Sequence, residues 1–434
     1  MLKNQNIFNK KNILVYGLGK SGLSTFKFLK KINKVYLFDD EKKINNKEIN
    51  KNLVSYQKLL SKNIDYIIIS PGIDINKCGL RSYLKNNLKK IYTDLDIFFN
   101  FYSKNKNITV TGTNGKSTTA RILYEVLRDQ KFDARLVGNI GNPVLLEKNI
   151  TSRTIFIVEA SSYQLEYSKL FRCNISAILN ISPDHLERHK TLKNYIKAKF
   201  KLLRNQTKKD YTILNINNIY IKQEIKLQKF LPKIIKVDKY VDFKILKRIN
   251  NPYFYTDGNK ENLTFIFQII KLFKIKRNIL FLTLKKFKGL KYRQEIIYKT
   301  KKLTIINDSK ATSFSSSESL LKSLSNVYWI IGGLFKKDDK FLLSKKNCKN
   351  LKAYIFGKDK KLYINELKNK MQIKSFINLE SVIKKIIVDI KIDKLKNHKT
   401  ILFSPAGASF DTFKNFEERG KYFNNLIKQS TNVL

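Results

Sequence analysis

Residues Val110–Ala120 read VTGTNGKSTTA, and this stretch decides the fold. Gly115-Lys116-Ser117 is the end of a phosphate-binding loop, G-x-x-x-x-G-K-[ST], but position 110, where that pattern has its first glycine, is Val110. Gly112 stands two residues later. The flanks supply the context the motif needs. KNITV before it is a β-branched run, and ARILYEVLRD after it places Ile122, Val126 and Leu127 at helical spacing. In a strand–turn–helix unit, Gly112, Asn114 and Gly115 let the backbone approach a phosphate, so that successive N–H groups wrap it. Lys116 then reaches the β- and γ-phosphates, and the Ser117 hydroxyl is placed to ligate Mg²⁺.

Downstream, TIFIVEASSYQLE and ISAILNISPDHLERH repeat one scheme, an apolar strand that ends in polar residues. Glu159 falls at such a strand end, where a carboxylate suits a hard cation. Asp184-His185 follows the next strand, which makes His185 a candidate metal ligand. Upstream, KNILVYGLGKSG carries Gly17, Gly19 and Gly22 after a β-branched run, and KVYLFDD ends in Asp39 and Asp40 about 20 residues on, as in a dinucleotide-binding fingerprint. Beyond LKYRQEIIY, the runs LTIINDSKATS, VYWIIGG, LKAYIFG and TILFSPAGASF again end in polar or glycine-rich turns. The expected fold class is α/β in three domains. These are a Rossmann-like domain over 1–104, a P-loop ATPase-like central domain over 105–288 and an α/β C-terminal domain over 289–434. At about 150 residues per domain, 434 residues accommodate three.

The formal net charge is +51, from 86 Lys and Arg against 35 Asp and Glu. Taken alone that points to nucleic acid or an anionic membrane. The excess is spread along the whole chain, mostly as Lys beside abundant Asn, Ile, Phe and Tyr, while Gly, Pro and Trp are scarce. It therefore reads as genomic base bias, and no specific nucleic-acid binding is expected. No apolar run approaches the roughly 18 residues of a membrane span, and the N-terminus has no signal-type apolar region. The expectation is a cytoplasmic enzyme without membrane insertion. Cys78, Cys173 and Cys348 lie far apart without a C-x-x-C, which argues against a disulfide framework or a zinc site.

Taken together, TGTNGKST, GNIGNP, VEASSYQLE, NISPDHLERH, NDSKATS and SPAGASFDTFKNFEERG resemble, in order, the Mur ligases. The resemblance covers essentially the whole chain and resolves the missing glycine, since that family's loop is the shorter G-T-N-G-K-[ST]. It implies a monomeric ATP-dependent ligase of cell-wall precursor synthesis. The closest resemblance is to the member that adds D-glutamate to UDP-N-acetylmuramoyl-L-alanine through an acyl phosphate. The first domain then binds UDP, and its glycine fingerprint is a decoy for a nicotinamide dinucleotide. Ser21, Asp39 and Gly72 are implied near the UDP group, and Asn139 at the sugar-peptide. Gly112, Thr113, Asn114, Gly115, Lys116, Ser117 and Thr118 cradle ATP, with Asn259 of the N-x-x-N segment (Asn259, Asn262), Arg293 and the ribose-binding Asp308. Ser117, Glu159, His185 and a carbamylated Lys199 are implied to hold two Mg²⁺ ions, with Lys116, Lys199, His185 and Arg293 catalytic. Tyr195-x-x-Ala198-Lys199 selects Lys199 over Lys197. D-glutamate carries two carboxylates, and Lys310, Thr312, Lys336, Ser409 and the backbone N–H of Phe416 match its need for cations and donors. Phe335 stands where the family commonly has a polar residue, which leaves Lys337 as the alternative to Lys336. Folylpolyglutamate synthase or another Mur ligase is the rival reading within the superfamily.

Overall fold

The computed structural model of the protein describes residues 6–41, 46–336, 339–393 and 397–430. The chain divides into two compact units, one formed by residues 1–241 and 262–284, the other by 242–261 and 285–434.

The first unit holds two parallel sheets. One contains β1 (Asn12–Tyr16), β2 (Lys34–Phe38), β3 (Tyr66–Ile69) and β4 (Ile91–Tyr92) in the order β2-β1-β3-β4. The other contains β5 (Lys106–Thr111), β6 (Ala134–Gly138), β7 (Ile155–Glu159), β8 (Ile175–Ile178), β9 (Tyr211–Asn215) and β10 (Lys233–Val237) in the order β10-β9-β8-β5-β7-β6. Helices cover both faces of a parallel sheet, so central strands are apolar throughout rather than alternating. All five residues of β7, IFIVE, are accordingly buried. The core of the two sheets is continuous, with Val15, Phe26 and Leu37 in the same cluster as Phe98, Phe156 and Phe171. Phe98 and Phe156 meet edge to face at 4.8 Å.

In each sheet the strand order reverses beside the first strand. Connections leave β1 and β3, and likewise β5 and β8, in opposite directions, which opens a crevice at the carboxyl ends of the strands. The helix Lys20–Leu29 packs tightly on the turn after β1, because a Cβ at Gly22 would lie 1.8 Å from the Gly17 carbonyl oxygen. The P-loop helix, Lys116–Asp129, follows β5 and buries Ile122, Leu123, Val126 and Leu127.

The second unit carries β11 (Glu295–Lys299), β12 (Leu303–Asn307), β13 (Val327–Gly332), β14 (Leu351–Phe356), β15 (Gln372–Ser375) and β16 (Lys399–Phe403) in the order β11-β12-β16-β13-β14-β15. Only the β11–β12 pair is antiparallel. The α/β class expected from the sequence is the observed one. Cys173 and Cys348 are buried, Cys78 is half-buried, and all are free thiols. Among the described residues no helix is long and apolar enough to cross a membrane.

Candidate active site

The loop after β5 is held from behind by the end of β8. Thr113 and Asn114 donate their N–H groups to the Asn180 backbone oxygen (2.9 Å) and the Asn180 Oδ1 (2.8 Å). The Thr113 hydroxyl lies 3.0 Å from the Tyr195 hydroxyl and accepts from the Ser182 N–H at 3.0 Å. Gly115 has φ +82°, and a Cβ there would sit 2.1 Å from the Asn262 Oδ1, so both backbone sign and space call for glycine. The loop feeds the N-terminus of a 14-residue helix, where free N–H groups favour an anion. Lys116 curls back and donates to the Gly112 (2.8 Å) and Thr113 (2.7 Å) carbonyls. Ser117 and Thr118 are buried in the first turn.

Glu159 ends β7 and is buried. Its Oε1 accepts from Asn139 Nδ2 at 2.9 Å, while its Oε2 has no hydrogen-bond partner. A buried carboxylate oxygen without a donor is costly, because buried polar groups in proteins are as a rule hydrogen-bonded. That oxygen therefore fits the requirement of a hard divalent cation such as Mg²⁺. No group of three or more His, Cys, Asp or Glu gathers among the described residues. A cation here would thus be completed by hydroxyl and phosphate oxygens.

His185 begins a short helix in the left-handed region, φ +56°. Its Nδ1 lies 2.9 Å from the Tyr163 hydroxyl, which also donates to Glu187 at 3.1 Å. Tyr195 lies between His185, 6.4 Å from ring to ring, and Lys199, whose Nζ is 4.6 Å from the Tyr195 centroid. Lys199 is buried and donates to the Gly112 carbonyl at 2.7 Å. Burial first, and the Lys116 ammonium second, hold its pKa well below the usual lysine value. Lys197, two residues away, is exposed.

The residues expected at the UDP group lie just beyond the carboxyl ends of β1, β2 and β3. Asp39 accepts from the Leu18 N–H at 2.5 Å, and the Ser70 hydroxyl donates to Gly17 O at 2.6 Å, two residues before Gly72. The Ser21 hydroxyl donates to Asp94, a buried carboxylate whose pKa burial raises.

In the second unit a chain of bonds joins three of the expected residues' neighbourhoods. Asn259 Nδ2 donates to Tyr253 O at 2.7 Å and to Gln294 Oε1 at 3.1 Å. The Gln294 N–H, next to the half-buried Arg293, donates to Asp308 Oδ1 at 3.1 Å. Ser404 donates to the other oxygen of Asp308 at 2.8 Å. Burial pushes the Asp308 pKa up to about 7 against the opposing hydrogen bonds and the Arg293 charge. Lys310 Nζ stands 4.0 Å from the centroid of Phe416, the first residue of the helix Phe416–Ser430. Leu334 and Ala408 exchange backbone hydrogen bonds, which brings the segments of Lys336 and Ser409 together. Asp339 accepts from the Phe314 N–H at 2.7 Å and donates its own N–H to Lys336 O at 3.1 Å, drawing in the segment after Thr312. Lys337 lies outside the described residues. Asn180, Tyr163 and Gln294 were not singled out in the sequence. Only Asn180 carried a signal, the polar end of the apolar run AILN.

These features define a nucleotide-dependent enzyme of the three-sheet α/β kind. Residues 11–91 match the family described as Mur ligase MurD-like, N-terminal domain, and residues 110–276 match the Mur ligase middle domain. The chain belongs to the Mur ligase family. It is 34% identical to the UDP-N-acetylmuramoylalanine--D-glutamate ligase of Rickettsia felis, over 98% of each chain. The enzyme of the same name from Rickettsia bellii is 33% identical over 96% of this chain and 97% of that one. Two solved structures share the fold. UDP-N-acetylmuramate-alanine ligase MurC from Thermotoga maritima has a TM-score of 0.55 at 15% identity, covering 97% of this chain and 100% of that one. MurF ligase from Thermotoga maritima, in complex with ADP, has a TM-score of 0.56 at 12% identity, covering 99% and 97%.

Proposed function

We infer that the chain is the ATP-dependent ligase that adds D-glutamate to UDP-N-acetylmuramoyl-L-alanine in peptidoglycan precursor synthesis. The observation that carries this reading is the end-to-end similarity to ligases of that name, 34% over 98% of the chain. The reaction joins two steps. The alanyl carboxylate attacks the γ-phosphorus of ATP, ADP leaves, and an acyl phosphate forms. The D-glutamate amine then attacks the acyl carbon, and the tetrahedral intermediate expels phosphate as the amide forms.

The physical obstacle is a carboxylate approaching a triphosphate, so catalysis is neutralisation and positioning. In this reading the N–H groups from Gly112 to Thr118 cradle the phosphates, and Lys116 exchanges its two carbonyl acceptors for phosphate oxygens. Asn259 and Asp308 are read as the residues that bind adenosine, and Arg293 as a phosphate-binding arginine. Mg²⁺, when bound, supplies positive charge to the phosphate oxygens. Ser117 and the unpaired Glu159 oxygen would hold a first ion, and His185 with carbamylated Lys199 a second. The depressed pKa of Lys199 supports the carbamate, because the neutral amine is the form that adds CO₂ with loss of one proton. Asp39, Ser21 and Gly72 take the UDP end of the acceptor and Asn139 the sugar-peptide. Lys310, Thr312, Lys336, Ser409 and the Phe416 N–H receive D-glutamate. The enzyme acts as a cytoplasmic monomer.

The test is ADP formation by the purified chain with the UDP-N-acetylmuramoyl-L-alanine acceptor and a panel of amino acids. Turnover should require D-glutamate. Turnover with L-alanine, L-glutamate or a diamino acid instead would assign the chain to a sister ligase.

A further inference from the structure

Arg188 is buried, and its charge serves neither ATP nor metal in the scheme above. It sits three residues after His185 on the helix Leu186–His189. Its guanidinium reaches into the first domain, where Nη2 donates to the Ile73 carbonyl at 2.6 Å and Nη1 to the Gly72 carbonyl at 3.5 Å. Its Nε donates to Glu166 Oε2 at 2.9 Å. Its Cζ lies 5.2 Å from the Tyr163 ring centroid and 5.7 Å from that of Tyr167. Tyr163 is the residue whose hydroxyl meets His185 Nδ1.

One side chain thus bridges the loop after β3 and the tyrosine that orients His185. A planar fork with five donors does this where a lysine cannot, since it bonds two backbone carbonyls and a carboxylate at once while stacking on aromatic faces. Desolvating such a charge is expensive unless every donor direction is used, so the loop is held in one position as long as Arg188 keeps its partners. We propose that Arg188 is a positioning residue that couples occupancy of the nucleotide crevice in the first domain to the orientation of His185, through the Gly72-Ile73 carbonyls on one side and Tyr163 on the other. The proposal rests on the reading that the β1/β3 crevice takes the UDP end of the acceptor. A shift of that loop on binding would be felt at the Tyr163–His185 contact without any contact between UDP and His185.

The experiment uses UDP alone as the probe, with the full chain and its Arg188→Lys and Tyr163→Phe variants. The three histidines of the chain, His185, His189 and His398, give a ring NMR spectrum simple enough to assign by substitution. In the parent protein UDP should bind and shift the His185 ring signals. Arg188→Lys should weaken UDP by about tenfold or more, given the strength of charged hydrogen bonds, and leave ADP affinity unchanged. Tyr163→Phe should bind UDP normally but abolish its effect on His185. If the parent protein binds no UDP, the assignment of the crevice fails and the proposal with it. If the parent binds UDP while folded Arg188→Lys binds it equally well, with the His185 shift intact, the crevice stands and the coupling is overturned.

Discussion

The Gly112 carbonyl oxygen receives two lysine side chains, Lys116 at 2.8 Å and Lys199 at 2.7 Å. Two ammonium groups on one buried acceptor repel each other, and burial first and the Lys116 charge second hold the Lys199 pKa well below the usual lysine value. Lys199→Ala should be nearly inactive, and a short carboxylic acid added to that variant should restore part of the rate by standing in for the proposed carbamate. The exposed Lys197 offers the control, and Lys197→Ala should keep near-parental turnover in the same assay. Composition could not separate these lysines in so Lys-rich a chain. The Tyr195-x-x-Ala198-Lys199 context pointed to Lys199, and of the two lysines Lys199 is the buried one. Asp308 makes a second prediction. A ribose hydroxyl is held best by the ionised carboxylate, and burial places that group's pKa at about 7. Between about one unit above and one below that value its ionised fraction falls roughly from nine-tenths to one-tenth. KM for ATP should therefore rise up to about tenfold as pH falls through neutrality. Asp308→Asn should bind ATP more weakly at high pH and lose that part of the pH dependence, which a KM–pH profile of both proteins reads directly.

At the scale of elements, glycine reports where backbone approaches backbone. The helix Lys20–Leu29 meets the turn after β1 so closely that Gly22 has no room for a methyl group. Gly22→Ala should lower the thermal midpoint by several degrees, in line with overpacking costs of about 1–3 kcal/mol. Differential scanning calorimetry would show this, and an unchanged midpoint would mean that the turn relaxes at no cost. The strand–loop–helix around Gly115 was legible because strand propensity, turn residues and helical period all agree there. The antiparallel edge strand β11 was not, since strand direction lies in the connection rather than in EIIYK itself. Nor were Gln294 and Tyr163, because a hydrogen bond between residues far apart in sequence leaves no periodic trace.

At the scale of the whole molecule the charge of +51 stands apart from the site chemistry. If it reflects base bias, DNA affinity should be independent of sequence and fall steeply between about 50 and 200 mM salt as condensed counterions cease to be released at a gain. Anisotropy titrations with two unrelated duplexes test this, and tight selective binding at physiological salt would overturn it. In the proposed reaction this chain activates the acceptor's own carboxylate with ATP and passes it to D-glutamate. The most direct measurement supplies UDP-N-acetylmuramoyl-L-alanine labelled with ¹⁸O in the alanyl carboxylate, together with ATP and D-glutamate, and weighs the products by mass spectrometry. The acceptor should be extended by one glutamate and keep one label in its new amide, and inorganic phosphate should carry the other. Unlabelled phosphate, or ADP release without a glutamyl product, would contradict the proposed reaction.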